Sequence, residues 1–110
     1  MAYDEELADR IRALLGDRAR LTEKKMFGGL AFLVAGNMAI AASGQGGIMV
    51  RVDPRESVEL ISTTPAEPME MRGRQMAGWL RVDTADVADG TALAEWVERG
   101  TAFAASLPPK

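Results

Sequence analysis

Apolar residues recur at helical spacing in the first part of the chain. Leu7, Ile11, Leu14 and Leu15 stand at i, i+4, i+7 and i+8, one stripe that predicts an amphipathic helix over residues 4–15. Asp4, Glu5 and Glu6 occupy its first turn, where the helix dipole favours negative charge. Gly16 follows the last periodic residue, the place for a left-handed stop. Such a stripe needs a sheet to pack on.

From Leu21 to Val52 the period shortens to that of strands broken by glycines. Lys24 to Val34 reads as one strand with a bulge at Gly28-Gly29, or as two short strands; the bulge is favoured, because a turn there would leave very short arms. Gly36-Asn37, both tolerant of positive φ, joins Leu30–Ala35 to Met38–Ser43 as a two-residue hairpin. Gly44, Gly46 and Gly47 form the next turn, into Ile48–Val52. Asp53-Pro54-Arg55-Glu56 is a helix start: Asp53 caps, Pro54 suits the first helical position, and Glu56 can reach back as in a capping box. This helix is expected to run to about Ser62, burying Val58 and Ile61, with Pro65 and Pro68 preventing its continuation. Met69 and Met71 alternate with Glu70 and Arg72 as a short strand, Gly73 turns the chain, and Gly78–Asp83 returns. A last helix begins near Thr91, carries the stripe Leu93, Trp96, Val97 and Phe103, and stops at Pro108-Pro109.

The expected order is α-β-β-β-α-β-β-α, an α+β fold with a mainly antiparallel sheet because most strand links are hairpin-short. Residues 1–110 read as a single domain. One strand pattern goes further. Leu30, Phe32 and Val34 point to one face while Ala31 and Leu33 point to the other, and Met38, Ile40 and Ala42 oppose Ala39 and Ala41 in the same way. A sheet wetted on one side alternates apolar with polar, and this one does not. Either helices cover both faces, or a second subunit covers one; symmetric dimers are the commonest oligomers.

Composition narrows the chemistry. The 110 residues contain no cysteine and no histidine. That excludes disulfides, thiol nucleophiles, Cys-ligated zinc, iron–sulfur clusters and imidazole bases. No apolar run approaches the roughly 20 residues of a membrane helix, and the acidic start Met1–Glu6 has no signal-peptide region, so a soluble cytoplasmic protein is expected. The net charge of −3 argues against a general nucleic-acid binder. Charge is nevertheless uneven: Arg10, Arg12, Arg18, Arg20, Lys24 and Lys25 crowd residues 10–25, whereas residues 83–98 hold Asp83, Asp86, Asp89, Glu95 and Glu98 with no base. These are two solvated faces of opposite sign, or the basic end meets an acidic partner in salt-sensitive binding.

Catalytic patterns fail one by one. Gly44-Gln45-Gly46-Gly47 lacks the third glycine and the following helix of a dinucleotide loop, since position 49 is Met49 and a strand follows. Glu5/Asp9 and Glu95/Glu98 lie on exposed helix faces, and Asp86/Asp89 lack the ligand spacing of a calcium loop. Ser43, Ser57 and Ser62 have no histidine to activate them. No catalytic residue, cofactor or metal is therefore assigned. The binding candidates are bases: Lys24 and Lys25, Arg51 on its strand, and Arg72 and Arg74 beside the Gly73 turn, an anion-binding rim if the sheet gathers them and snorkelling cations if it does not. Trp79, Trp96 and the methionines are read as core filling, although methionines also make pliable binding surfaces.

Lys24-Lys25-Met26-Phe27-Gly28-Gly29-Leu30-Ala31-Phe32-Leu33, followed by Gly36-Asn37-Met38, resembles the signature of the TfoX/Sxy N-terminal domain family. So does Gly73-Arg74-Gln75-Met76-Ala77-Gly78-Trp79 ahead of a closing helix and a Leu-Pro-Pro-Lys end. The similarity covers roughly residues 3–108. It implies an α+β domain like the YjbR and secretion-chaperone folds, a bacterial origin and association with competence regulation, the domain preceding a helical one in full-length regulators. It supplies no catalytic residues; its glycines read as a bulge (Gly28, Gly29) and turns (Gly36, Gly73). The leading expectation is a non-enzymatic regulatory or protein-interaction domain, a homodimer through its sheet face or bound to an unidentified protein. The alternative is a module for small anionic ligands or nucleic acid using Lys24, Lys25, Arg51, Arg72 and Arg74.

Overall fold

The structure, a computed structural model, describes residues 3–17, 20–26, 28–71 and 73–109. Helix α1 (Glu5–Leu15) is followed by strands β1 (Leu21–Met26), β2 (Gly29–Val34), β3 (Asn37–Ala42) and β4 (Ile48–Arg51). Helix α2 (Pro54–Thr63), strands β5 (Glu67–Met71) and β6 (Arg74–Val82), a 3₁₀ turn (Thr84–Val87) and helix α3 (Gly90–Ser106) come next. All five strand pairings are antiparallel, in the order β1-β2-β3-β4-β6-β5. The α+β class and antiparallel sheet are as patterned, with one strand more.

The extra strand arises at Gly28. The chain turns there with φ +76 instead of bulging, and Met26 pairs with Gly29. Pairing already begins at Leu21, so each arm has six residues and the turn leaves no short arm. The following hairpin turns at Ala35-Gly36, φ 52 and 84, and not at Gly36-Asn37. Asn37 instead opens β3 and, almost wholly buried, donates from its side-chain amide to the Pro108 carbonyl at 2.9 Å.

Helix α1 is capped by Asp4, whose carboxylate accepts the Leu7 N–H at 3.1 Å. Its buried face is Leu7, Ala8, Ile11 and Leu15. With about 100° per residue, that face centres between Ala8 and Ile11; Leu14, expected in the stripe, falls at its margin and is 40% exposed. Asp53 caps α2 by accepting the Arg55 N–H, without a return bond from Glu56. That start sets the phase of the helix: Leu60 is buried and Ile61 packs beside it, whereas Val58, expected in the core, is 76% exposed.

Strand register separates the faces. Glu23, Phe32, Ile40, Val50 and Leu80 form one row across the sheet. The last four of them are fully buried, in one cluster with Ile11 of α1, Leu60 of α2, Val97 of α3 and Val87 of the 3₁₀ turn. The opposite face carries a second cluster drawn from strands alone: Ala31, Met38, Ala41, Met49 and Met69, with Met26, Leu33, Met76 and Trp79 packed against it. The first of the two expected alternatives, helices over both faces, therefore fails, because among the described residues no helix contributes to this second cluster. Long side chains shield one another here instead, leaving Met49 6% and Met38 9% exposed.

Candidate functional site

The basic candidates are dispersed by the sheet. Lys24 and Lys25 are neighbours on β1, so they take opposite faces: Lys24 pairs with Ala31 on the strand-only face and Lys25 with Leu30 on the helix face. Arg74 opens β6, paired with Met71 beside the Gly73 turn. Three strands separate β1 from β6, about 19 Å at the usual strand spacing. Arg18, Phe27 and Arg72 lie outside the described residues. The four described candidates, Lys24, Lys25, Arg51 and Arg74, do not gather into one rim.

Arg51 is the best positioned of them. It ends β4 opposite Trp79, and its guanidinium lies 5.6 Å from the ring centroids of both Trp79 and Phe103. It therefore ties the end of the sheet to α3 through two aromatic rings. The rest of the shared motif shapes the same framework. Met26 ends β1, Gly28 turns, Gly29 opens β2, Gly36 and Gly73 turn, and Gly78 bends β6 at φ +82 while its carbonyl accepts the Val52 N–H at 2.8 Å.

The basic helix end is largely satisfied within the chain. Arg12 donates to Glu23 at 2.6 and 2.9 Å and also to Asp9. Arg10 donates to the carbonyls of Val87 and Ala88 at 3.0 and 3.1 Å, so it meets the acidic segment's backbone. The hydrogen bond from Arg12 lowers the Glu23 pKa and raises that of Arg12. The same kind of bond from Arg55 lowers the Asp53 pKa. These shifts follow from exposed ion pairs that keep both groups charged, the opposite of a poised acid or base. Among the described residues no three acidic side chains are grouped to hold a metal ion. No helix among them is long and apolar enough to cross a membrane.

What the sheet does assemble is the strand-only face. Its central row, read across the strands, is Lys24, Ala31, Ala41, Met49, Arg81 and Glu67. A base stands at one edge and an acid at the other, with Ala31, Ala41 and Met49 between them and a second base, Arg81, cross-strand from the acid. Arg81 also donates to the Gln45 side chain at 3.3 Å. Glu67 and Arg81 were not among the sequence candidates. Strand parity would have found them only once the hairpin at Gly28 and the β4–β6 pairing were known.

A family model described as the TfoX N-terminal domain matches residues 13–104. No curated protein and no solved structure matches the chain.

Proposed function

The chain belongs to the TfoX N-terminal domain family, and on that premise we propose that it is a non-catalytic regulatory domain working through protein contacts, with a second copy of itself as partner. The resemblance to competence regulators favours the bacterial cytoplasm as the setting of that role. The observation that carries the reading is the strand-only methionine cluster. Methionine side chains repack at low cost around an incoming surface, and the rim of Met26, Leu33, Met76 and Trp79, only partly buried, offers the apolar area that would be gained.

The row on this face favours self-association. A two-fold axis along the strands would set Lys24 of one copy over Glu67 of the other, twice per dimer, with Ala41 over Met49 and the Arg81 beside Glu67 over Ala31 of the other copy. The scattered bases favour no anion site of comparable extent. Sedimentation equilibrium tests the proposal. Lys24→Glu and Glu67→Lys should each weaken the dimer by about tenfold, and the double exchange should restore it. A strict monomer at high micromolar concentration overturns the proposal, as does a dimer indifferent to both exchanges.

A further inference from the structure

On the helix side, α2 and α3 flank an open cavity of about 350 Å³ that none of the preceding roles uses. Its volume is in the lower part of the range for small-molecule sites, roughly 300–1,000 Å³. The floor is apolar: Val52 and Leu60 are 3% and 8% exposed, Phe103 is half-buried, and Ala102 stands at the rim.

Four polar side chains line the same cavity, and two are already committed. Asp53 accepts the backbone N–H of Arg55 at 2.9 Å and its guanidinium at 3.0 Å. Ser106 donates its hydroxyl to the Phe103 carbonyl at 2.6 Å. The other two are Glu56 and Arg99, of opposite sign, and among the described residues neither forms an ion pair. Arg55 feels the charge of Glu56 but is bonded to Asp53. Arg99 is held in place, its guanidinium 4.8 Å from the centroid of the Trp96 ring. An oriented guanidinium takes a carboxylate in two parallel hydrogen bonds. An available carboxylate takes an ammonium group, and a dry floor takes a hydrocarbon body.

We propose that this cavity binds a free α-amino acid with a large apolar side chain, its carboxylate on Arg99, its ammonium on Glu56 and its side chain against Leu60 and Phe103. A plain anion would be opposed by Glu56 and Asp53, and a plain cation by Arg99; a zwitterion satisfies both signs. The site lies on the opposite side of the sheet from the methionine face, so its failure leaves the dimer proposal standing.

The test is titration of the full chain with L-leucine and L-phenylalanine, followed by amide chemical shifts. Saturable one-to-one binding centred on Leu60, Arg99 and Phe103 is expected. N-acetyl-L-leucine and L-leucine methyl ester, each lacking one charge, should bind about tenfold more weakly, as should leucine to Arg99→Gln and Glu56→Gln. The derivative series on the unaltered chain decides the matter if a variant fails to fold. No saturable shift with either amino acid overturns the proposal, and so does N-acetyl-L-leucine binding as tightly as leucine.

Discussion

Gly100 of α3 rests on the carbonyl of Ala39 in β3, so closely that a Cβ at position 100 would stand 2.4 Å from that oxygen. The same Cβ would lie 3.3 Å from a methyl of Val50. This contact sets how near α3 approaches the sheet. Alanine is better than glycine in a helix by about 1 kcal/mol, yet Gly100→Ala should destabilise the protein by about 1–3 kcal/mol because backbone must move. Thermal unfolding should show a midpoint lower by roughly 5–15 °C. An unchanged or raised midpoint would refute the close approach.

Arg51 joins the sheet to α3 through Trp79 and Phe103. Its replacement by alanine should cost about 1–2 kcal/mol, from two cation–π contacts of about 0.5–1 kcal/mol each. Denaturant unfolding of Arg51→Ala, Phe103→Leu and the double variant checks this. The two losses should be less than additive, since they share one contact.

The chain contains no histidine, so no side chain with an ordinary pKa between about 5 and 8 is present to titrate. Glu23 has a folded pKa below its ordinary 4.5, through its hydrogen bond with Arg12. Asp53 has one below 3.8, through Arg55. A lowered folded pKa means the unfolded state binds more protons. The stability these groups contribute is present above the unfolded pKa and is lost as pH falls through the folded one. Stability should therefore stay level from neutrality to about pH 5 and decline below it. In Glu23→Gln the decline should be shallower, measured by unfolding across that range.

Asn37 is 1% exposed and its amide holds the Pro108 carbonyl beyond α3. Asn37→Ala should cost about 1 kcal/mol, the net worth of the hydrogen bond lost by the buried side chain. Asn37→Asp should cost more at neutral pH, because a carboxylate only accepts and would face the carbonyl. Unfolding of the two variants side by side measures the difference.

Period and punctuation carried the element types: the α1 stripe, the Asp53-Pro54 start and the Gly73 turn all stand where local chemistry places them. What they could not carry was phase. Leu14 and Val58 are apolar and correctly spaced, but which side of a helix is buried depends on neighbours far along the chain. The turn at Gly28 was obscured because the arm before it, Leu21–Met26, is mostly polar and exposed. That one difference in strand count decides the faces of Lys24 and Lys25, so the binding candidates could be named but not placed. The cavity between α2 and α3 depends on tertiary packing that brings Glu56 and Arg99 to one space.

The central claim is that the strand-only face is where this domain meets a second copy. The most direct measurement is a concentration series on protein carrying methyl-labelled methionine, leucine and isoleucine. The methyl signals of Met26, Met38, Met49, Met69 and Met76 should shift together as the dimer forms, while those of Leu7 and Ile11 in α1 and Leu93 in α3, buried in the helix-side core, stay still. Methionine signals that do not move between dilute and high micromolar protein, or movement confined to the helix side, would contradict it.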